Sequence, residues 1–290
     1  MLIRILEIIV PVFGVIGVGY FYGRRFAPNV RDANALNITI FTPALIFYAL
    51  TEESGGHLAL GLAAIGATVI VFGAGLLGWL WTRVTKRNAA VYVPPIMFPN
   101  LGNLGLPLAH LAFGNEGLAL MVVLMVVENT LQFTFGLWVL GERVSPQALA
   151  RNPMLVATAA GLICMTMDWH APQMILPAIK MLGEVSIPLM LISLGVRLSG
   201  GTQGQWSAGL AGGLAAPVFG LAVAAPFVWL VQPEPTLAAL LIIFGVMPPA
   251  VLNYMLAEMY DVEPQHVAAI VAVGHMIALA AIPITLAFVL

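Results

Sequence analysis

Charge is scarce in this chain. Of its 290 residues, 11 are Lys or Arg and 13 are Asp or Glu, so charged side chains make up 8% of the sequence. A soluble domain carries about 25%, and the shortfall excludes a cytosolic enzyme. Cysteine is scarcer still. Cys164 stands alone, which excludes a disulfide framework and any cysteine-rich metal or cluster site. The net charge of −2 supplies no basic surface, so no nucleic acid is expected as a partner. Catalytic signatures are missing as well. There is no G-x-S-x-G, no H-E-x-x-H and no P-loop, so an ATP-driven pump and an intramembrane metalloprotease both lack their machinery. His57, His110, His170, His266 and His275 are too scattered to read as a metal site, and neither enzyme activity nor a cofactor is expected.

What replaces charge is hydrophobic sequence, 61% of the chain. It is organised in runs of about 20 residues, the length that crosses a ~30 Å hydrocarbon core as a helix. Charges, Pro, Gly and Asn between the runs divide the chain into ten segments, at residues 5–23, 33–51, 57–82, 89–113, 116–140, 153–168, 174–198, 206–231, 235–259 and 264–289. The fold class expected is therefore an all-α polytopic membrane protein, with the lipid bilayer as its surroundings. The first segment has no basic n-region and no evident small-residue cleavage site, so it reads as a retained span.

Direction follows from the basic residues. The loops after segments 1, 3, 5 and 7 hold Arg24, Arg25, Arg31, Arg83, Lys86, Arg87, Arg143, Arg151 and Arg197, nine of the eleven. The opposite side has Arg4, with Glu52, Glu53, Glu116, Asp168 and Glu234 in its loops. Positive-inside bias places the first set in the cytoplasm and both termini outside. The acidic loop with Glu258, Asp261 and Glu263 departs from this pattern, but acidic residues contribute little to orientation.

The two halves, residues 1–141 and 152–290, resemble each other. Segment 2 reads Asn37-Ile-Thr-Ile-Phe-Thr-Pro43 and segment 7 reads Gly183-Glu-Val-Ser-Ile-Pro188. Segment 4 carries Pro99, Asn100, Gly102, Asn103, Gly105 and Pro107, and segment 9 carries Pro248, Pro249 and Asn253. Because five is odd, the second half must enter the membrane in the opposite direction. An inverted repeat with interrupted helices in corresponding positions points to a secondary transporter with a midplane site.

The interruptions have a chemical meaning. An unpaired backbone amide in lipid costs several kcal/mol, so these segments can unwind only where protein or a polar cavity shelters them. Two breaks placed back to back supply that shelter. The half-helices that restart after them aim partly positive N-termini at the midplane, and the preceding halves aim partly negative C-termini at the same place. An ion-capable crossing follows, without a choice of sign.

The string Asn100-x-Gly102-x-x-Gly105-x-Pro107, together with Pro248-Pro249-Ala250-Val251-Leu252-Asn253-Tyr254 and Ala257-Glu258-x-Tyr260, resembles the auxin efflux carrier (PIN-like) family. The resemblance covers the whole chain in length, segment count and the position of both breaks. It implies two inverted five-helix repeats, with segments 4 and 9 crossing as in bile-acid carriers and sodium-proton antiporters. It further implies scaffold helices 1, 2, 6 and 7, transport helices 3–5 and 8–10, and elevator-type alternating access. Its implied substrates are small organic anions: auxin-like monocarboxylates in plants, malate or malonate in some bacterial relatives. About a dozen residues separate segments 5 and 6, so the long cytoplasmic loop of plant carriers is missing, and a permease of the bacterial inner membrane is expected.

Asn100 and Asn253 are the favoured substrate donors, with Asn103 behind them. Glu128 lies in the middle of segment 5, where an ionisable side chain costs at least ~2.5 kcal/mol and is a functional candidate by default. His275 occupies the corresponding place in segment 10; the resemblance implies a small hydroxyl residue near there, so the His is a departure. Glu128 and His275 are the expected coupling pair, with protons favoured over sodium. Lys180 and Glu184, spaced i, i+4, read as a surface or interface pair. A sodium-coupled anion symporter of bile-acid-carrier type and a non-transporting receptor or scaffold remain alternatives, and a homodimer is left open.

The topology is tested by cysteine labelling in a Cys164-free background. Glu53→Cys and Lys86→Cys should react from opposite sides of the membrane. Reaction of both from one side would end the inverted-repeat reading.

Overall fold

The computed structural model describes residues 2–51, 57–141, 147, 151–167, 169, 171–172, 174–201 and 204–290. The loop residues Glu52, Glu53, Arg143, Asp168 and His170 lie outside the described residues.

The described chain is helical, without a β-strand. We number its helices α1 (Leu2–Phe26), α2 (Arg31–Thr51), α3 (His57–Thr85), α4 (Ala89–Met97), α5 (Leu101–Val139), α6 (Pro153–Thr166), α7 (Leu176–Leu198), α8 (Trp206–Val231), α9 (Pro235–Val246), α10 (Val251–Met259) and α11 (Pro264–Val289). Seven helical runs, in α1, α2, α3, α5, α7, α8 and α11, are long and apolar enough to cross a membrane. The run called α5 is two helices joined at Gly114, whose φ of 67° and ψ of −150° interrupt it. A glycine takes that conformation without steric penalty, and it falls between segments 4 and 5 as read from the sequence.

Local signals set the ends. Asn88 and Asn152 accept bonds from the backbone N–H groups of Ala90 and Met154 at 3.1 and 3.0 Å, capping α4 and α6. Pro153, Pro235 and Pro264 open their helices where an N–H would be unpaired anyway. Three stretches widen into i→i+5 turns: Asn37–Phe41 inside α2, and Leu101–Gly105 and Gln132–Gly136 inside α5. Such turns cost regular hydrogen bonding and concentrate at functional sites.

Packing separates the helices into two groups. In the first, α1 lies along α7, and α2 packs on both α6 and α7. In the second, α8 packs against α11, α9 and α3, while α5 packs on α3 and α9. Small residues let backbones touch where apolar solvent gives no hydrophobic drive. A Cβ on Gly195 of α7 would collide with the carbonyl of Ile16 in α1, and one on Gly19 would collide with that of Ile192. The contact is backbone to backbone, so no side chain can give way.

Gly195→Val should therefore lower the melting temperature in detergent, with an overpacking cost of about 1–3 kcal/mol or more. Gly17→Ala, on the same helix as Gly19 but with nothing within 4 Å of the added carbon, should leave it unchanged. Equal melting of wild type and Gly195→Val would contradict the α1–α7 contact.

Candidate functional site

The site begins with proline. After α4 the chain runs extended through Phe98, and after α9 it runs extended from Met247 to Ala250. Pro99, Pro248 and Pro249 have no N–H to lose, so each link needs few donors satisfied. The two links then pair with each other, antiparallel, at Pro99 and Pro249. Asn100 N donates to Pro248 O at 2.7 Å, and Ala250 N donates to Phe98 O at 2.9 Å. The remaining N–H groups of the links turn back on their own helices, Phe98 to Pro94 O and Met247 to Phe244 O. Every donor in both breaks is thus paired, as a water-poor interior demands.

Side chains staple this crossing. Asn253 donates through Nδ2 to Phe98 O at 2.9 Å and to Ala250 O at 3.1 Å, and its Oδ1 accepts from Gln132 Nε2 at 2.9 Å. Asn100 Nδ2 lies 2.9 Å from His275 Nε2, while His275 Nδ1 lies 2.8 Å from Val271 O. A carbonyl can only accept, so Nδ1 carries the hydrogen and Nε2 accepts from Asn100 in the neutral ring. Asn100 Oδ1 takes the N–H of Asn103 at 3.3 Å, capping the first turn of α5.

Beside the crossing lies a cavity of about 160 Å³, roughly the volume of five water molecules. One wall comes from α2, α6 and α7, with Asn34, Asn37, Thr42, Met154, Ser193 and Arg197. The other comes from the crossing and α5, with Asn100, Gly102, Asn103, Glu128, Asn129 and Gln132. Six buried side-chain atoms among the described residues have no hydrogen-bond partner, and five belong to these walls: Asn34 Nδ2, Asn37 Oδ1, Glu128 Oε1, Gln132 Oε1 and Ser193 Oγ. Leaving such a group unpaired costs about 1–3 kcal/mol, so their convergence marks a polar site. A larger cavity of about 490 Å³, against Phe72, Trp79, Phe135 and Trp138, has no ionisable side chain on its wall.

The residues singled out from sequence therefore separate. Asn100, Gly102, Asn103 and Glu128 line the cavity, whereas Gly105 and Pro107 are buried behind it. Pro248 and Pro249 build the bridge. Asn253 is off the cavity wall, with both donor hydrogens and its oxygen engaged. His275 faces Asn100 and a third, largely apolar cavity between α1 and α11, lined also by Phe13, Ile16 and Met276. No hydrogen bond joins it to Glu128. Lys180 and Glu184 lie 3.9 Å apart and exposed, on the surface as expected.

Sequence reading misses Arg197, Ser193, Asn37 and Gln132 as site residues. Arg197 counts with the loop in the charge pattern, yet it lies in the last turn of α7 with its side chain on the cavity. Gln132 has a signal, because it follows Glu128 by four residues and so shares its helix face.

If Asn253 and Gln132 hold the crossing together, Asn253→Ala should cost about 1–3 kcal/mol by stranding the Gln132 amide and removing the side-chain bond to the Phe98 carbonyl. The double variant Asn253→Ala/Gln132→Ala should lose less than the sum of the two singles, read from melting temperatures in detergent. Additive losses would separate the two residues.

A model of the family described as "Membrane transport protein" matches residues 4–148 and 139–286 of this chain. A protein of Rhizobium meliloti (strain 1021), named "Putative malonate transporter", is 24% identical over 215 residues, covering 68% of this chain and 67% of that protein. With the family model spanning nearly the whole sequence in these two matches, the chain belongs to the membrane transport protein family of the auxin efflux carriers.

Proposed function

We propose that this protein is a secondary carrier of small organic anions, carboxylates in particular, that works by alternating access and exchanges protons with the substrate. The observation that carries the reading is the cavity itself. It lies between two separately packed helix groups, against a doubly interrupted crossing, and its walls hold five buried polar atoms without partners. A rigid receptor has no need of paired helix breaks.

In this reading the ten sequence segments are ten spans in two inverted repeats. The fourth is α4 with the start of α5, and the ninth is α9 with α10. The group of α1, α2, α6 and α7 stays still while the crossing and its helices slide. The cavity runs from the crossing toward the start of α2 and the end of α7, the end whose loops carry Arg24, Arg25 and Arg31. With positive charge inside, this conformation faces the cytoplasm. The malonate named for the relative supports a carboxylate as cargo.

The substrate's donors are then the Asn103 side-chain amide and the partly positive first turn of α5 at Gly102, which lets the ligand approach the backbone. The Asn103 side chain makes no hydrogen bond among the described residues, unlike the Asn100 amide, which is tied to His275. Asn103 thus replaces Asn253 as the favoured side-chain donor beside Asn100. Glu128 is the acid on the wall, and the unpaired oxygens around the cavity, Asn37 Oδ1 and Gln132 Oε1, are acceptors. A protonated carboxyl offers an O–H to such acceptors, whereas a carboxylate can only add to their number. Protonation of Glu128 supplies one donor to this acceptor-rich wall and needs no cage of ligands.

Proteoliposomes loaded for uptake of radiolabelled malonate, succinate and acetate, with pH and sodium gradients imposed separately, test this. A pH gradient should drive flux in wild type. Glu128→Gln should abolish that response while leaving exchange of internal for external substrate. Sodium-driven flux indifferent to pH, or a pH response untouched by Glu128→Gln, would overturn the coupling; absence of flux for every carboxylate would overturn the carrier. Asn103→Ala should raise the half-saturation concentration about 10-fold or more, the loss of a hydrogen bond to a charged group, with an unchanged melting temperature.

A further inference from the structure

We propose that Arg197 is the cation that receives the carboxylate of the transported anion, and that Glu258 competes with the substrate for it. The inference rests on the carrier reading and assigns the charge that makes the cavity an anion site. Met190, Ser193 and Arg197, spaced i, i+3 and i+7, place one face of α7 along the cavity. At 1.5 Å per residue this is a strip about 10 Å long, ending at the guanidinium.

Arg197 is partly buried, and among the described residues it makes no hydrogen bond and no ion pair within 4.0 Å. Five N–H donors and a permanent charge facing a cavity suit a carboxylate, which the planar fork can grip with two bonds. Arg24 and Arg31, also without side-chain partners among the described residues, are exposed and off the cavity wall, and four further basic side chains are engaged elsewhere. Arg87 lies between the rings of Trp81 and Tyr92 and donates to the Tyr92 hydroxyl at 2.8 Å. Arg83 stacks over Trp79, Arg4 reaches the Ala112 carbonyl, and Lys180 pairs with Glu184.

One turn inward, Ser193 Oγ is buried without a partner. Its hydroxyl can donate to the same carboxylate that the guanidinium fork grips with two N–H groups. Helix α10, whose Met255 lines the same cavity, also carries Tyr254 and Glu258, joined at 3.0 Å from Tyr254 Oη to Glu258 Oε1. Both lie within electrostatic reach of Arg197. Glu258 therefore offers Arg197 the same chemical group as the substrate, close enough to attract it and too far to hold it.

The experiment measures binding of malonate, acetate and the neutral analogue malonamide to purified wild type, Arg197→Gln, Arg197→Lys and Glu258→Gln by calorimetry, alongside ligand-free melting temperatures. Arg197→Gln should weaken malonate at least tenfold, and Arg197→Lys should fall between it and wild type because an ammonium lacks the fork. Malonamide should not distinguish the variants. Glu258→Gln should tighten malonate about threefold by removing the competitor. Malonate affinity within twofold of wild type in Arg197→Gln, with flux retained by wild type, would overturn the inference and leave the carrier reading standing. Equal or weaker binding in Glu258→Gln would overturn the competition even if Arg197→Gln failed to fold. Wild type that binds none of the carboxylates would overturn both.

Discussion

A backbone amide has nowhere to go in hydrocarbon, and the architecture of this protein depends on how two amide-poor links solve that problem together. An interrupted helix exposes donors and acceptors that water would satisfy in a soluble protein; a lipid bilayer offers no substitute. Here each interruption is the other's partner, through Asn100 N to Pro248 O and Ala250 N to Phe98 O. Proline is what makes the exchange balance. With Pro99, Pro248 and Pro249 in the links, two cross-bonds and two returns to the parent helices use every N–H present. A regular residue at any of these positions would add a donor with no assigned acceptor.

The side chains around the bridge reinforce it and thereby lose their freedom to do anything else. Asn253 spends both hydrogens on carbonyls and its oxygen on Gln132, so α10, α5 and the α4 link are held at one point. Asn100 is tied through His275 to α11. Fully satisfied buried networks rigidify, and partly satisfied ones do not. The crossing is thus a rigid unit, and the unsatisfied groups lie beside it in the cavity, where a ligand can reach them.

Much of this arrangement is legible in the sequence. The interruptions are readable because Pro, Gly and Asn gathered in mid-span disfavour a continuous apolar helix, and the turn at Gly114 falls where segments 4 and 5 divide. The family resemblance rests on the same residues, and the family match agrees with it. What spacing does not carry is partnership. Asn253 and Asn103 look alike in a string, yet one is consumed by the bridge and the other faces the cavity. Ordinal position pairs His275 with Glu128, but the hydrogen bonds lead from it to Asn100. Arg197 is hidden by its location: a count of basic loop residues assigns the last turn of a helix to the loop, and cannot see that this turn faces inward.

The division of the cavity wall between two packing groups constrains how a carrier of this kind could release its cargo. Arg197 and Ser193 belong to α7, while Asn103, Glu128 and Gln132 belong to α5, so sliding one group against the other splits the wall in two. A substrate that travels with the crossing must leave the α7 half behind, and a bond as strong as a dry guanidinium–carboxylate pair would hold it back. The partial exposure of Arg197 would weaken that pair, and in the proposed scheme the Glu258 carboxylate of α10 competes for it. A ligand can bias a conformational equilibrium only by its difference in affinity for the two states. In the proposed carrier, groups on a stationary α7 wall would supply that difference and the groups on α5 affinity common to both, so that Glu128 and Asn103 would serve carriage and Arg197 capture and release.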